Sequence, residues 1–298
     1  MSPLPYRARG FGLTWGSDVP LERFDSMAHG DGKIDIAVRR VAGLPDRGPS
    51  RPVGRGQVFA NGFRLAWSDA LVFDVHGSTR VDYAAQPAWR GVMPPGLYST
   101  IASLLLAGRG ILPLHATALE WQGRAFLFAG DGGAGKSTFA AELLAAGAQL
   151  IGDDLSAVEP PAGPGAPFTV RRGRAAMRLH PATAALVDAE RSEAVPDDPR
   201  GKVLVRPKRR VDEGNLPLAG IFLLGDGDIG RRANAARLLA RLLFRPRWCA
   251  ALPAHRERQV LLLKLANAVP LRRLPPVTGF DPHHRAARIA QVLAMLAG

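Results

Sequence analysis

Along the first 95 residues, apolar positions fall in short alternating or continuous runs. They occur at Ile34–Val38, Gln57–Ala60, Phe63–Trp67, Leu71–Val75 and Thr79–Tyr83, set apart by Gly, Pro, Asp and Asn. Short runs bounded by turn residues predict strands, so residues 1–95 are expected to form a small β-rich N-terminal domain. Residues 43–56, GLPDRGPSRPVGRG, hold too much Pro, Gly and Arg to pack and are expected as a mobile loop.

After MPPG at 93–96 the pattern changes. Leu97–Gly108 is apolar or small throughout and predicts a helix. Two strands follow, Leu114–Trp121 and Arg124–Ala129, joined by a tight turn at Gln122-Gly123. Lys136–Ala146 predicts a helix and Leu150–Ile151 a brief strand, and 159–167, EPPAGPGAP, is a loop. Pro181 can start a short helix through Val187. Lys202–Val205 and Ala219–Leu224 predict strands, and Ala233–Phe244, Arg256–Asn267 and His283–Leu296 predict helices, with an apolar VPLRRL segment between the last two. The domains expected are 1–95 and 96–298, the second of α/β type.

No apolar run reaches the roughly 18–20 residues that span a bilayer, and MSPLPYRARG lacks the apolar stretch of a signal peptide. The chain therefore reads as cytoplasmic, with no membrane partner. A single cysteine, Cys249, excludes an internal disulfide and a cysteine-based zinc cage, and reads as a small core residue. The net charge of +13 suits an acidic partner. Only five of the cations are lysines, and the arginines are spread along the chain, which argues against a dedicated nucleic-acid face. A homo-oligomer is compatible with the sequence.

The densest chemistry lies at 130–138, GDGGAGKST. Gly130, four residues, then Gly135, Lys136 and Ser137 form the spacing of a phosphate-binding loop. Glycines allow successive N–H groups to surround phosphate oxygens, and the following helix aims its positive end at the same anion. Lys136 would reach the β- and γ-phosphates of ATP, and the Ser137 hydroxyl would hold Mg²⁺. Asp131, Gly132, Gly133, Ala134 and Thr138 complete the nucleotide-binding stretch. A loop in a chain of 33 glycines can match by accident, but one of five lysines falling in register after FLFAG argues otherwise.

A phosphate loop needs an acidic residue at a strand end, to hold a metal or accept a proton. Asp153-Asp154, after the strand that follows the loop's own helix, is preferred. Asp226 and Asp228, after Ile221–Leu224, are the alternative, although GDGDIG is strong turn chemistry.

The stretch 114–158, LHATALEWQGRAFLFAGDGGAGKSTFAAELLAAGAQLIGDDLSAV, resembles the core of the HPr serine kinase/phosphorylase family. That family has a His on one strand, a G-x-x-G-x-G-K-S loop and an Asp-Asp pair in this order. Looser likenesses at 12–24, 93–116, 177–181 and 217–224 are closer to the HPr-kinase-like kinases of lasso-peptide biosynthesis. The resemblance implies an α/β, P-loop HPr-kinase-like (PEP-carboxykinase-like) catalytic domain behind the small β-rich one. It implies an ATP- and Mg²⁺-dependent serine kinase acting on a peptide or small protein, with a lasso precursor peptide as acceptor. It further implies that Asp153 activates the hydroxyl, that Asp154 helps bind Mg²⁺ and that His115 sits beside the pair. VRRGRAAMRLHP at 170–181 departs from the family's Glu-Arg-Gly-type segment, which puts HPr recognition and the reverse reaction in doubt.

Two rival readings are a kinase of free serine or another small hydroxyl compound, and a nucleotide-dependent regulator or nucleic-acid-binding ATPase. The absence of an LSGGQ-type signature argues against an ABC ATPase. Lys202, after PDDPRG, is a candidate phosphate or substrate contact, or simply a solvated lysine. Asp281-x-His283-His284 reads as a helix N-cap and first turn. The five tryptophans show no stacking-platform spacing.

Overall fold

The structure is a computed structural model that describes residues 4–28, 32–174, 176–195, 198, 200–225, 229, 232–274 and 282–297. It is mixed α/β with few helices, and its contacts divide it into two compact units. The first comprises 1–113 and 243–261, the second 114–242 and 262–298.

The first unit is built on a nine-stranded sheet in the order Asp25–Ser26, Tyr6–Gly10, Leu13–Ser17, Ile36–Arg40, Arg80–Ala85, Leu71–His76, Gly62–Ser68, Gly56–Phe59, Arg51–Val53. Ile36–Arg40 is parallel to both of its neighbours, and the other pairs are antiparallel. Alternation explains the burial: in Leu71–His76 the inward Leu71, Phe73 and Val75 are almost wholly buried. Phe24 meets the rings of Phe11, Trp15 and Tyr98 at 5.9, 4.9 and 4.9 Å. One turn of π-helix, Leu97–Ile101, runs into the α-helix Ala102–Gly108. Cys249, in the helix Pro246–Ala251, is buried with its thiol pushed up to about 11 by desolvation, as suits an inert core residue.

The stretch 43–56 differs from its expectation as a loop that does not pack. Arg51–Val53 pairs with Gly56–Phe59 as a hairpin. Ahead of it, Arg47 reaches the sheet, donating to Asp74 Oδ1 at 2.6 Å and Val75 O at 2.9 Å and lying 4.4 Å from the centre of the Phe59 ring. A buried carboxylate fixes a segment whose local composition gave it no reason to order.

In the second unit the main sheet runs Ser156–Glu159, Thr169–Arg171, Asn215–Leu224, Arg124–Ala129, Ala116–Trp121, Gln149–Gly152, with Leu271–Leu274 beside the far half of Asn215–Leu224. Arg124–Ala129 and Asn215–Leu224 are parallel, so their C-terminal ends emerge side by side. A separate three-stranded sheet places Val203–Pro207 between Met177–Leu179 and Ala189–Ala194. The helix Lys136–Ala145 buries Phe139, Ala140, Ala141, Leu143 and Leu144 in a core with Phe128, Phe222, Met177 and Leu179. Phe128 stacks on Phe222 at 5.3 Å and meets Phe139 at 5.4 Å. Each such large side chain contributes about 1.5–3 kcal/mol on burial, which fixes the helix and the loop before it. Among the described residues, no helix is long and apolar enough to cross a membrane.

Candidate functional site

The loop begins where Arg124–Ala129 ends. Gly130 is held close to the end of the neighbouring strand, since a Cβ there would lie 2.8 Å from Leu224 O. Gly135 turns the chain into the helix at φ +82°, left-handed backbone that favours glycine. It offers no side-chain cap, and no acidic residue occupies the first helical turn. The orphan N–H groups at the start of the helix therefore have no side-chain cap from Gly135, as an anion site requires. Lys136 arches back over the loop and donates to Gly130 O at 2.7 Å and Asp131 O at 3.1 Å. Burial lowers its affinity for a proton, which Asp153, Asp154 and Asp131 counter, while Lys202 lowers it further.

The strand Gln149–Gly152 delivers the carboxylates. Gly173 donates to Ile151 O at 2.8 Å, and a Cβ on Gly152 would lie 3.0 Å from Gly173 Cα, so two glycines allow the chain at 172–174 to lie against the strand end. Asp153 follows, nearly buried; its Oδ1 accepts from Thr117 Oγ1 at 2.7 Å and its Oδ2 from the Arg178 N–H at 3.3 Å. Desolvation pushes its pKa up, with the Asp154 charge adding to the rise; Thr117, Arg174 and the Arg178 N–H oppose it. Asp154 sits at φ +71°, a conformation that Asp tolerates, with its side chain half-exposed. Burial pushes its pKa up, but hydrogen bonding and charge from His115, with the charges of Arg174 and Arg178, outweigh that and leave it lowered.

His115 lies 2.9 Å from Asp154 O through Nδ1, a contact in which the ring N–H must donate, and 3.3 Å from Asp154 Oδ1. The Asp154 carboxylate raises its pKa against the opposing effect of burial.

A cleft of about 500 Å³ gathers most of these groups. His115, Gly132, Gly133, Gly135, Lys136, Ser137, Thr138, Asp153, Asp154 and Lys202 line it, whereas Gly130, Asp131 and Ala134 form the loop without lining it. The rival acids Asp226 and Asp228 lie outside the described residues, as do Asp281 and the side chains of His283 and His284. Among the described residues, no three His, Cys, Asp or Glu side chains form a metal cage. Mg²⁺ does not need one: it keeps waters and phosphate oxygens and takes one or two protein ligands. Ser137 and Asp154, on the same cleft, fit that modest donor set.

Sequence reasoning missed several groups. Thr117 is two residues beyond His115 in the stretch the sequence predicts as one strand, so the period of two could have placed both on one face, although the chain bends at His115 ahead of the strand Ala116–Trp121. Arg178, His180, Asp198 and Arg200 also line the cleft. Their signals were the loose likeness at 177–181, the Arg-rich run before Pro181 and the turn before Lys202. Compared with protein-family models and with curated proteins, the chain matches none.

Proposed function

We propose that this protein is an ATP- and Mg²⁺-dependent kinase that phosphorylates a serine hydroxyl in a peptide or small protein, on a P-loop, HPr-kinase-like fold. A lasso-type precursor peptide is the acceptor that the sequence resemblance favours. The observation that carries the reading is the meeting of a glycine loop, its lysine and a carboxylate pair in one cleft, where the two carboxylates are pushed in opposite directions. Groups with separated proton affinities suit separate tasks.

In this reading the loop N–H groups and Lys136 hold the donor phosphates. Asp153, with its raised affinity for a proton, accepts the proton of the acceptor hydroxyl as the oxygen–phosphorus bond forms and the bridging oxygen of the donor leaves. Asp154, kept anionic by His115, and the Ser137 hydroxyl would hold Mg²⁺, which when bound neutralises charge on the phosphate oxygens. His115 orients Asp154 through its Nδ1–H.

The test is incubation with γ-labelled ATP, Mg²⁺ and a panel of peptides, small proteins and free serine, read by mass spectrometry. Phosphoserine in a peptide or protein is expected. Transfer to free serine alone selects the small-molecule rival, and ATP hydrolysis without any phosphorylated acceptor selects the regulator.

A further inference from the structure

We propose that Arg178, Arg200 and Lys202, tied together by Asp198, form an acceptor subsite that recognises a carboxylate close to the target hydroxyl. The inference rests on the kinase reading for the word acceptor, but the residues that carry it lie outside the loop 130–138.

Asp198 is the knot. Its side chain is 2% exposed, accepts from the Arg178 guanidinium, and takes the Arg200 N–H at 2.9 Å and the N–H of Lys202. One carboxylate thus ties the backbone at 200 and 202 to the Arg178 side chain, and all three residues line the cleft. Arg178 is paired with Asp198 by this bond. Arg200 and Lys202 have no ion pair among the described residues, and they bring two further positive charges to the cleft, with His180 also in its lining. Lys202 is near enough to Lys136 to disfavour its charge. Two like charges bordering one cleft favour an anion between or beside them.

The nucleotide does not need this surplus. Its phosphates have the loop N–H groups, the helix end and Lys136. What remains is an acceptor carrying negative charge, and ammonium or guanidinium groups bind carboxylates through charge-assisted hydrogen bonds. The Arg178 N–H that meets Asp153 Oδ2 joins the subsite to the proposed base, so an acceptor seated here places its hydroxyl near that carboxylate. The carboxylate can come from an acidic side chain or from a chain terminus.

Three short peptides separate those sources. They are acetyl-Gly-Asp-Ser-Asp-Gly-amide, acetyl-Gly-Asn-Ser-Asn-Gly with a free C-terminus, and acetyl-Gly-Asn-Ser-Asn-Gly-amide. Binding to the full chain, saturated with Mg²⁺ and a non-hydrolysable ATP analogue, is read by calorimetry. At least one of the two acidic peptides is expected to bind more tightly than the neutral one, with a steep salt dependence. Lys202→Met together with Arg200→Gln should weaken that peptide about tenfold and erase its advantage, as expected for lost charge-assisted bonds. Affinity for the ATP analogue should stay within about twofold, because the variant leaves the loop and Lys136 intact. Asp198→Asn, which loosens the knot but leaves the cations, should give a smaller loss of the same kind. Equal binding of all three peptides, or no binding of either acidic one, overturns the subsite. A variant that weakens the nucleotide analogue as much as the peptide assigns these cations to the donor and also overturns it. The failure of the kinase reading is a different result, the absence of transfer to a peptide that binds.

Discussion

The Thr117 hydroxyl donates to Asp153 Oδ1 at 2.7 Å, with Thr117 wholly buried and Asp153 nearly so. This bond stabilises the charged carboxylate and holds back the rise that burial imposes. Thr117→Val removes the donor and keeps the shape, so the Asp153 pKa should climb further. A base works deprotonated, so activity falls as pH drops through its pKa. The acid limb of the kcat profile should therefore move to higher pH in Thr117→Val and stay in place in Thr117→Ser. The lost bond should also cost about 1–3 kcal/mol of stability, the penalty for an unsatisfied buried group. An unmoved acid limb in the valine variant would show that Thr117 does not tune the base.

Gly135 enters the loop helix in left-handed backbone, and a Cβ there would meet no atom within 4 Å. The cost of Gly135→Ala is therefore conformational alone, about 1–2 kcal/mol. Under that strain the loop should relax and misdirect the helix N–H groups. Nucleotide affinity should fall about tenfold or more, a larger effect than the stability loss suggests. Lys136→Ala tests the other half of the loop: transfer should drop by orders of magnitude while the fold persists. Denaturant unfolding alongside calorimetry with Mg²⁺ and ATP reads both effects, and wild-type affinity in both variants would remove the loop from the nucleotide site.

The loop and the Asp pair were legible because their signals are local. Gly130 to Ser137 is a dense arrangement after an apolar strand, and Asp153-Asp154 follows two apolar residues and a glycine. The strand Ala189–Ala194 was not legible: five of its six residues are exposed, so no apolar face marks it, and it is placed only by pairing with Val203–Pro207. The hairpin at Arg51–Val53 was hidden for another reason, because the bond that fixes the preceding loop comes from Asp74, 27 residues beyond Arg47. Likewise nothing near Asp198 announces that it meets Arg178, which lies 20 residues earlier. Charge pairs formed between distant segments leave no periodicity to read.

Asp74 gives the most direct stability test. Its side chain is wholly buried, and its two oxygens accept from Arg47 and Arg64, each at 2.6 Å. Removing one partner of a buried pair leaves the other charge uncompensated, at about 3–5 kcal/mol. Asp74→Ala should cost that much in denaturant unfolding and free the 43–50 segment, which Arg47 pins. Hydrogen exchange should then accelerate in that segment well before the nine-stranded sheet opens. If the segment exchanges at the same rate in both proteins, Arg47 does not hold it down.

Asp153→Asn should separate stability from activity. The folded-state pKa of Asp153 is raised above its unfolded value, so the native state binds this proton more tightly than the unfolded chain. Stability from this group is therefore present below the unfolded pKa, near the ordinary 3.8, and is lost as pH rises through the folded value. At neutral pH the ionised group is a cost that the fold carries. Asparagine removes the charge without changing the shape: its carbonyl can accept the Arg178 N–H, and its NH₂ can donate to Thr117 Oγ1 once that hydroxyl rotates. The variant should melt at or above the wild-type temperature at pH 7, and the difference should shrink as pH falls through the folded-state pKa of Asp153. Its phosphoryl transfer should be lost while nucleotide binding survives. A variant that is less stable at pH 7 yet still transfers phosphate would place the base elsewhere, and Asp154→Asn would be the next substitution to measure.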